Sequence, residues 1–161
     1  APRFVLKKYR LLLEHKRLAV HFYPFQEPNA LITDVDQKIE VFVRIIPEIR
    51  FATIIGEHIQ APVNPVHLYN EVSRLIRLCN VTYIEVINDA GDAMGLDCML
   101  KSGFIPTGYF PCLKNHGNAR RDYVIFGKSF EKSRLLNHEL DGRYLKYYSE
   151  YCKLEREMGY Y

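Results

Sequence analysis

Short apolar runs dominate the first 56 residues and read as strands. Residues 9–14 and 18–23 are two such runs, separated by His15, Lys16 and Arg17, and predict a hairpin. Pro24 and Pro28 bracket a loop. Residues 31–35 and 38–46 flank an acidic turn at Asp34, Val35, Asp36 and Gln37. In the second run Ile39, Val41, Val43 and Ile45 share one face, and Glu40, Phe42, Arg44 and Ile46 the other, the alternation of a half-buried strand. Residues 50–55 predict the next strand, ended by Gly56. Pro47 has no N–H for a ladder and marks a turn or bulge between these two runs.

The period then changes. Residues 57–63 predict a loop, and Asn64-Pro65 starts a helix, with Asn as N-cap and Pro at the first helical position. That helix runs to about residue 78, its stripe formed by Val66, Tyr69, Val72, Leu75, Ile76 and Cys79. Residues 81–87 are almost continuously apolar, as in a strand covered on both faces. Asn88-Asp89 predicts the cap of a helix over 90–101, which Ser102-Gly103 ends. Residues 104–110 form a strand broken by Pro106 and Gly108, expected at an edge or bulge. Residues 114–119 are a hairpin loop, residues 122–126 the returning strand, with Tyr109 facing Tyr123, and residues 143–158 a terminal helix. Tyr144, Leu145, Tyr148, Tyr151 and Cys152 fall on one side of that helix.

A strand meander followed by a crossover helix and a covered strand implies an α+β fold: a mixed, mainly antiparallel sheet flanked by helices. The expected organisation is one domain over residues 1–130 and a C-terminal helical extension over 131–161. The 161 residues can bury a core without staples. No apolar run approaches the roughly 20 residues of a membrane-spanning helix, and no membrane partner is expected. The start lacks the apolar core of a signal peptide, and the chain opens on Ala1-Pro2, as a processed product or a fragment would. A net charge of +3 gives no electrostatic footprint for nucleic acid. Cys79, Cys98, Cys112 and Cys152 show no paired spacing and are expected as reduced, buried thiols of a cytoplasmic protein. Cys112 and His116 lack the further ligands that a metal site needs, so no metal is expected.

The segment from Val81, through Asn88, to Lys101, Gly103 and Phe104 resembles the second half of the GCN5-related N-acetyltransferase fold. In that family a strand ends in Asn, a helix follows, and a Lys-x-Gly-Phe turn leads into the next strand. The resemblance covers about residues 38–130, and the N-terminal helices of the family have no counterpart before residue 38. It implies acetyl-CoA as cofactor and acetyl transfer to an amine of a small molecule. It further implies two neighbouring strands that splay apart, so that residues Thr53, Ile54, Ile55 and Gly56 pair with the pantetheine arm as with an added strand. Asn64, at the head of the crossover helix, and Asn88 would face the same crevice.

Two positions depart from the family pattern. Residues 56–65 carry no glycine pair for a diphosphate, leaving only the dipole and the expected free amides of residues 66–68. Met99 stands where many members place a proton-donating Tyr. An alternative is therefore a catalytically degenerate domain of the same fold that binds a ligand or a protein partner. Candidate general bases are Glu57 and His58, just past the predicted strand, and Glu48 beside Pro47. Glu85, inside an apolar strand, needs a partner or a raised pKa, unless it meets water at the sheet edge. The Tyr-bearing terminal helix could dock on its own sheet, on a second copy of the chain, or on a missing domain.

Overall fold

The computed structural model describes residues 2–21, 26–117, 119–131 and 142–157. The chain opens with a helix, not with the expected strand: α1 spans Pro2–Glu14. Val5, Tyr9 and Leu12 recur at helical spacing and are all buried against the sheet. The cluster of Leu residues near its end reads as a strand over six positions, and only the longer window shows the 3.6-residue period. Lys16, at φ 54°, ends the helix, with its amide and that of Arg17 bonded back to Leu13 and Leu12. The predicted hairpin is thereby corrected. What remains of its second arm is a two-residue strand, β1 (Ala19–Val20). Residues 22 and 23 of that arm and residues 24 and 25, the start of the following loop, lie outside the described residues.

Strands β2 (Ala30–Thr33) and β3 (Ile39–Ile46) pair antiparallel around the acidic turn, as expected. β3 is not half-buried: Glu40, Val41, Phe42 and Val43 are all buried, because helices cover both of its faces. Pro47–Ile49 form a single 3-10 turn, followed by Arg50 in the left-handed region. Strand β4 spans Phe51–Ile59, so Glu57 and His58 belong to a strand and not to a loop. The bulge lies elsewhere than at Pro47. Phe42 pairs with Gly56 and Val43 with Ile54, which leaves Ile55 as the extra residue.

Helix α2 (Pro65–Leu78) has the predicted cap and length, with Leu68, Tyr69, Val72, Ser73 and Ile76 buried, whereas Cys79 just beyond it is exposed. Strand β5 (Tyr83–Asp89) includes Asn88 and Asp89, so neither caps the next helix. Helix α3 (Ala93–Lys101) starts three residues later than the expected 90, and its N-cap is Asp92, which accepts from the Gly95 amide. Its end is as predicted, with Gly103 at φ 76°. Strands β6 (Ile105–His116) and β7 (Ala119–Ser129) form the last hairpin, longer than expected, with Asn118 outside the described residues. β6 is an edge strand and shifts register between Pro106 and Gly108. That shift sets Tyr109 against Val124 and Phe110 against Tyr123, so the two tyrosines are not opposite each other. Helix α4 (Gly142–Glu157) closes the described chain, Tyr144 and Leu145 exposed and Tyr148, Tyr151 and Cys152 partly buried. Residue 158 lies outside the described residues.

The strands form one mixed sheet, ordered β2-β3-β4-β5-β7-β6, with β1 attached to β4. Among the described strands only β4 and β5 pair parallel, joined by α2 as crossover. The main core lies between the sheet and the helices α2 and α3, around Ile54, Ile76, Ile84, Met99, Phe104 and Phe126. A smaller core on the other face joins α1 to Phe42 and Ile55. The thiols are free, but only Cys98 is buried: Cys79 and Cys112 are exposed, which corrects the expectation of four buried thiols. No helix among the described residues is long and apolar enough to cross a membrane.

Candidate functional site at the parting of the sheet

Parallel pairing of β4 with β5 stops early. Phe51 pairs with Tyr83, Ala52 with Ile84 and Thr53 with Glu85, and beyond these the two strands diverge while each continues to its end. Ile55 supplies the local cause, since an extra residue in one strand bends it and increases its twist. Residues 54–59 of β4 thus have an edge that β5 does not pair.

That edge is taken by the chain itself. Ala19 pairs with Glu57 and Val20 with Gly56, antiparallel, and the His21 amide donates to the Ile55 carbonyl at 3.0 Å. Close approach is possible because residue 56 is glycine: a Cβ there would lie 2.8 Å from the Ala19 carbonyl oxygen. His21 follows β1 into the gap, and its ring sits within hydrogen-bond reach of the Ile87 backbone on β5. The residue keeps some surface, yet desolvation dominates its ring and lowers its pKa, with Glu57 and the Ile87 backbone acting in the opposite direction. Its Nε2 lies 3.3 Å from the Tyr69 hydroxyl, which donates to Glu57 Oε2 at 3.0 Å. Burial and the neighbouring Glu57 carboxylate push the Tyr69 phenol well above its ordinary value. His21, Tyr69 and Glu57 therefore form one polar chain drawn from three elements.

A cleft of about 530 Å³ opens beside this chain, lined by β1, the heads of α2 and α3, and the end of β5. Asn88 and Met99 line it. Asn88 is buried, and its Oδ1 has no hydrogen-bond partner among the described residues. Cys98 is also at the wall, its thiol pushed up chiefly by burial.

The predicted site residues separate by position. Thr53 is the last paired residue of β4, and Ile54, Ile55 and Gly56 carry the diverging edge. Glu57 faces the cleft, and Asn88 lines it. His58 points to the opposite face, where its Nδ1 lies 3.2 Å from the buried Glu40, itself ion-paired with Lys8 of α1. Glu48 is exposed in the 3-10 turn, at the end of β4 away from the gap. Asn64 caps α2: its side chain accepts from the Val66 and His67 amides at 3.0 and 3.2 Å, and its carbonyl accepts from Leu68. Pro65 has no amide. The expectation of free amides at residues 66–68 is corrected, because the asparagine satisfies them internally.

Glu85 is not at a sheet edge. It lies on the central strand β5, opposite Thr53 and Gly127, on the sheet face that carries Phe51 and Tyr83. Its carboxyl is half-buried and is raised above its ordinary value by desolvation. Sequence reading missed His21 and Tyr69. Tyr69 was legible only as part of the α2 stripe, and nothing local marks His21, whose place depends on β1 crossing to β4.

No protein-family model matches the chain, and no curated protein matches it by sequence. Among solved structures it is similar to a variant of the spermidine N-acetyltransferase SpeG from Vibrio cholerae, at 14% identity and a TM-score of 0.56, over 80% of this chain and 92% of that one. It is also similar to the ribosomal-protein-S18-alanine N-acetyltransferase from Escherichia coli, at 11% identity and a TM-score of 0.54, over 78% of this chain and 87% of that one. The likeness is one of fold, and it agrees with the sheet order, the parallel β4–β5 pair and its divergence: the chain is a divergent example of the GCN5-related N-acetyltransferase fold.

Proposed function

We propose that the chain is an N-acyltransferase domain in which the pantetheine arm of an acyl-CoA replaces β1 on the freed edge of β4 and delivers its acyl group to an amine. One observation carries this reading: residues 55–57 of β4, unpaired by β5, already hold an extended backbone. A pantetheine arm has amides that can occupy the same ladder positions. The displacement is affordable, since β1 is two residues long, exposed, and makes only a few ladder bonds of roughly 1 kcal/mol net each. Glu57, within reach of Tyr69, is the candidate to accept the proton of the attacking ammonium.

The same geometry is a poor fit to the diphosphate of the carrier at the head of α2, because Asn64 consumes the amides there. This favours a second reading, a domain that kept the fold and binds a ligand or partner without acyl transfer. Calorimetric titration with acetyl-CoA separates the two, using the wild type and His21→Pro, which deletes the amide that holds β1 to Ile55. Acyl transfer predicts saturable binding that tightens in the variant. Absence of binding to both proteins, with the variant still folded, selects the second reading.

A further inference from the structure

Positive charge is concentrated on one element. Residues 3–17, which are α1 and the turn after it, hold six Lys and Arg against one acid, Glu14, a net +5. The whole chain is +3, so the remaining residues together are −2. Two of the six cations are engaged: Lys8 turns inward to Glu40, and Arg10 pairs with Glu27 at 2.7 Å. Arg3, Lys7, Lys16 and Arg17 are exposed, and none has an ion-pair partner among the described residues. Because α1 docks on the sheet through Val5, Tyr9 and Leu12, its opposite side faces outward. There Phe4, 60% exposed, and Leu11, 53% exposed, stand two turns apart beside Arg3 and Lys7. A hollow of about 380 Å³ opens among Arg3, Lys7, Arg10 and Leu11, with Leu6 and Glu14 completing its wall.

Large apolar side chains left in water among unpaired cations suit a partner that is anionic at its surface and apolar just beneath. We propose that the outer face of α1 binds a bilayer surface containing anionic phospholipid, the four free cations meeting its phosphates while Phe4 and Leu11 enter the headgroup–acyl boundary. A nucleic-acid backbone offers the charge without the apolar depth. An acidic protein needs more area: the 13-residue helix presents a face about 20 Å long and about 10 Å wide, against roughly 800 Å² per partner in a stable interface. A bilayer requires no matching shape, so a convex helix can lie on it. The contact is peripheral and keeps α1 docked on the sheet. It needs no membrane-spanning segment, and the absence of one was the ground for expecting no membrane partner. It is also independent of the acyl-transfer reading.

The test sediments the whole chain, without any acyl carrier, with vesicles of phosphatidylcholine alone and of phosphatidylcholine with one-quarter phosphatidylglycerol. Binding is expected to the anionic vesicles only, and weakens as salt rises to about 1 M, where the screening length falls to about 3 Å. Arg3→Gln and Lys7→Gln should each weaken it about fivefold, and Phe4→Ser about tenfold. Glu14→Gln should strengthen it about fivefold, a gain that misfolding cannot mimic. Arg120→Gln, which removes an exposed cation from the β6–β7 hairpin, should leave binding nearly unchanged. Thermal unfolding checks that each variant folds. Equal binding to neutral vesicles, no binding to anionic ones, or a loss for Arg120→Gln as large as for Lys7→Gln overturns the proposal. Retention on duplex DNA or polyglutamate that matches vesicle binding, with Phe4→Ser without effect on either, also overturns it, because it marks a bare polyanion contact.

Discussion

The His21 amide donates to the Ile55 carbonyl at 3.0 Å, across the gap that opens once β4 and β5 stop pairing at Thr53 and Glu85. The bulge residue that bends β4 away from its neighbour is thus the residue whose carbonyl holds the chain's own N-terminal segment. Parting of the sheet and its occupation are two consequences of one local irregularity. The occupant carries a histidine ring into contact with Tyr69, which links the state of the gap to a titratable group.

That link gives a pH dependence. Burial lowers the His21 pKa below its ordinary 6.5, so the unfolded or undocked segment takes up a proton before the docked one does. Docking of β1 is therefore fully present above about 6.5 and is lost as the pH falls from there through the docked value. Hydrogen exchange of the His21 amide, corrected for its intrinsic rate, should accelerate on acidification relative to Ile54. His21→Gln should remove the pH dependence; persistence of the same acid limb in that variant would falsify the assignment.

Gly56→Ala should expel β1, the new Cβ also meeting the Leu18 side chain at the rim of the smaller core at 3.4 Å. The new Cβ would lie 2.8 Å from the Ala19 carbonyl oxygen, a backbone atom that cannot swing aside. With the segment released, the His21 ring returns to solvent and its titration midpoint rises toward the ordinary histidine value. Proton NMR of the ring reads this directly. A midpoint that stays low means that His21 is held independently of the ladder.

Glu85 works in the opposite direction to His21. Desolvation raises its folded pKa above the usual glutamate value, so its neutral form favours the native state, and that contribution is lost as the pH climbs through the folded pKa. Glu85→Gln should consequently raise the thermal midpoint at neutral pH and leave it nearly unchanged in acid. An equal shift at both pH values would show that packing, and not ionisation, sets the effect.

Asn64→Ala should destabilise the chain by about 1 kcal/mol, the usual cost of losing a side-chain N-cap. Asn64→Asp keeps an acceptor for the Val66 and His67 amides and adds a charge favourable to the helix dipole, so it should recover most of the loss. Denaturant unfolding of the three proteins compares them, and the idea fails if the aspartate variant is as unstable as the alanine one.

Local chemistry decided much of this fold in advance. The Asn64-Pro65 start of α2, the Gly103 stop of α3, the acidic turn between β2 and β3 and the interrupted edge strand β6 are each determined within a few residues, because caps, left-handed φ values and missing N–H groups act locally. The strand β5 was equally legible as a continuous apolar run, although its cover is complete on one face only: Ile84 and Val86 are buried, whereas Tyr83 and Glu85 on the other face are half-buried. Tertiary structure alone decided the rest. α1 forms a helix because Val5, Tyr9 and Leu12 find Phe42 and Ile55 to pack on, residues thirty or more positions away in the chain. β4 runs on through Glu57 and His58 because β3 pairs with it to Ile59. His21, Tyr69, Glu57 and Asn88 meet only where a bulge parts two parallel strands, and no window of sequence contains that geometry, since its energy lies in pairings between distant segments.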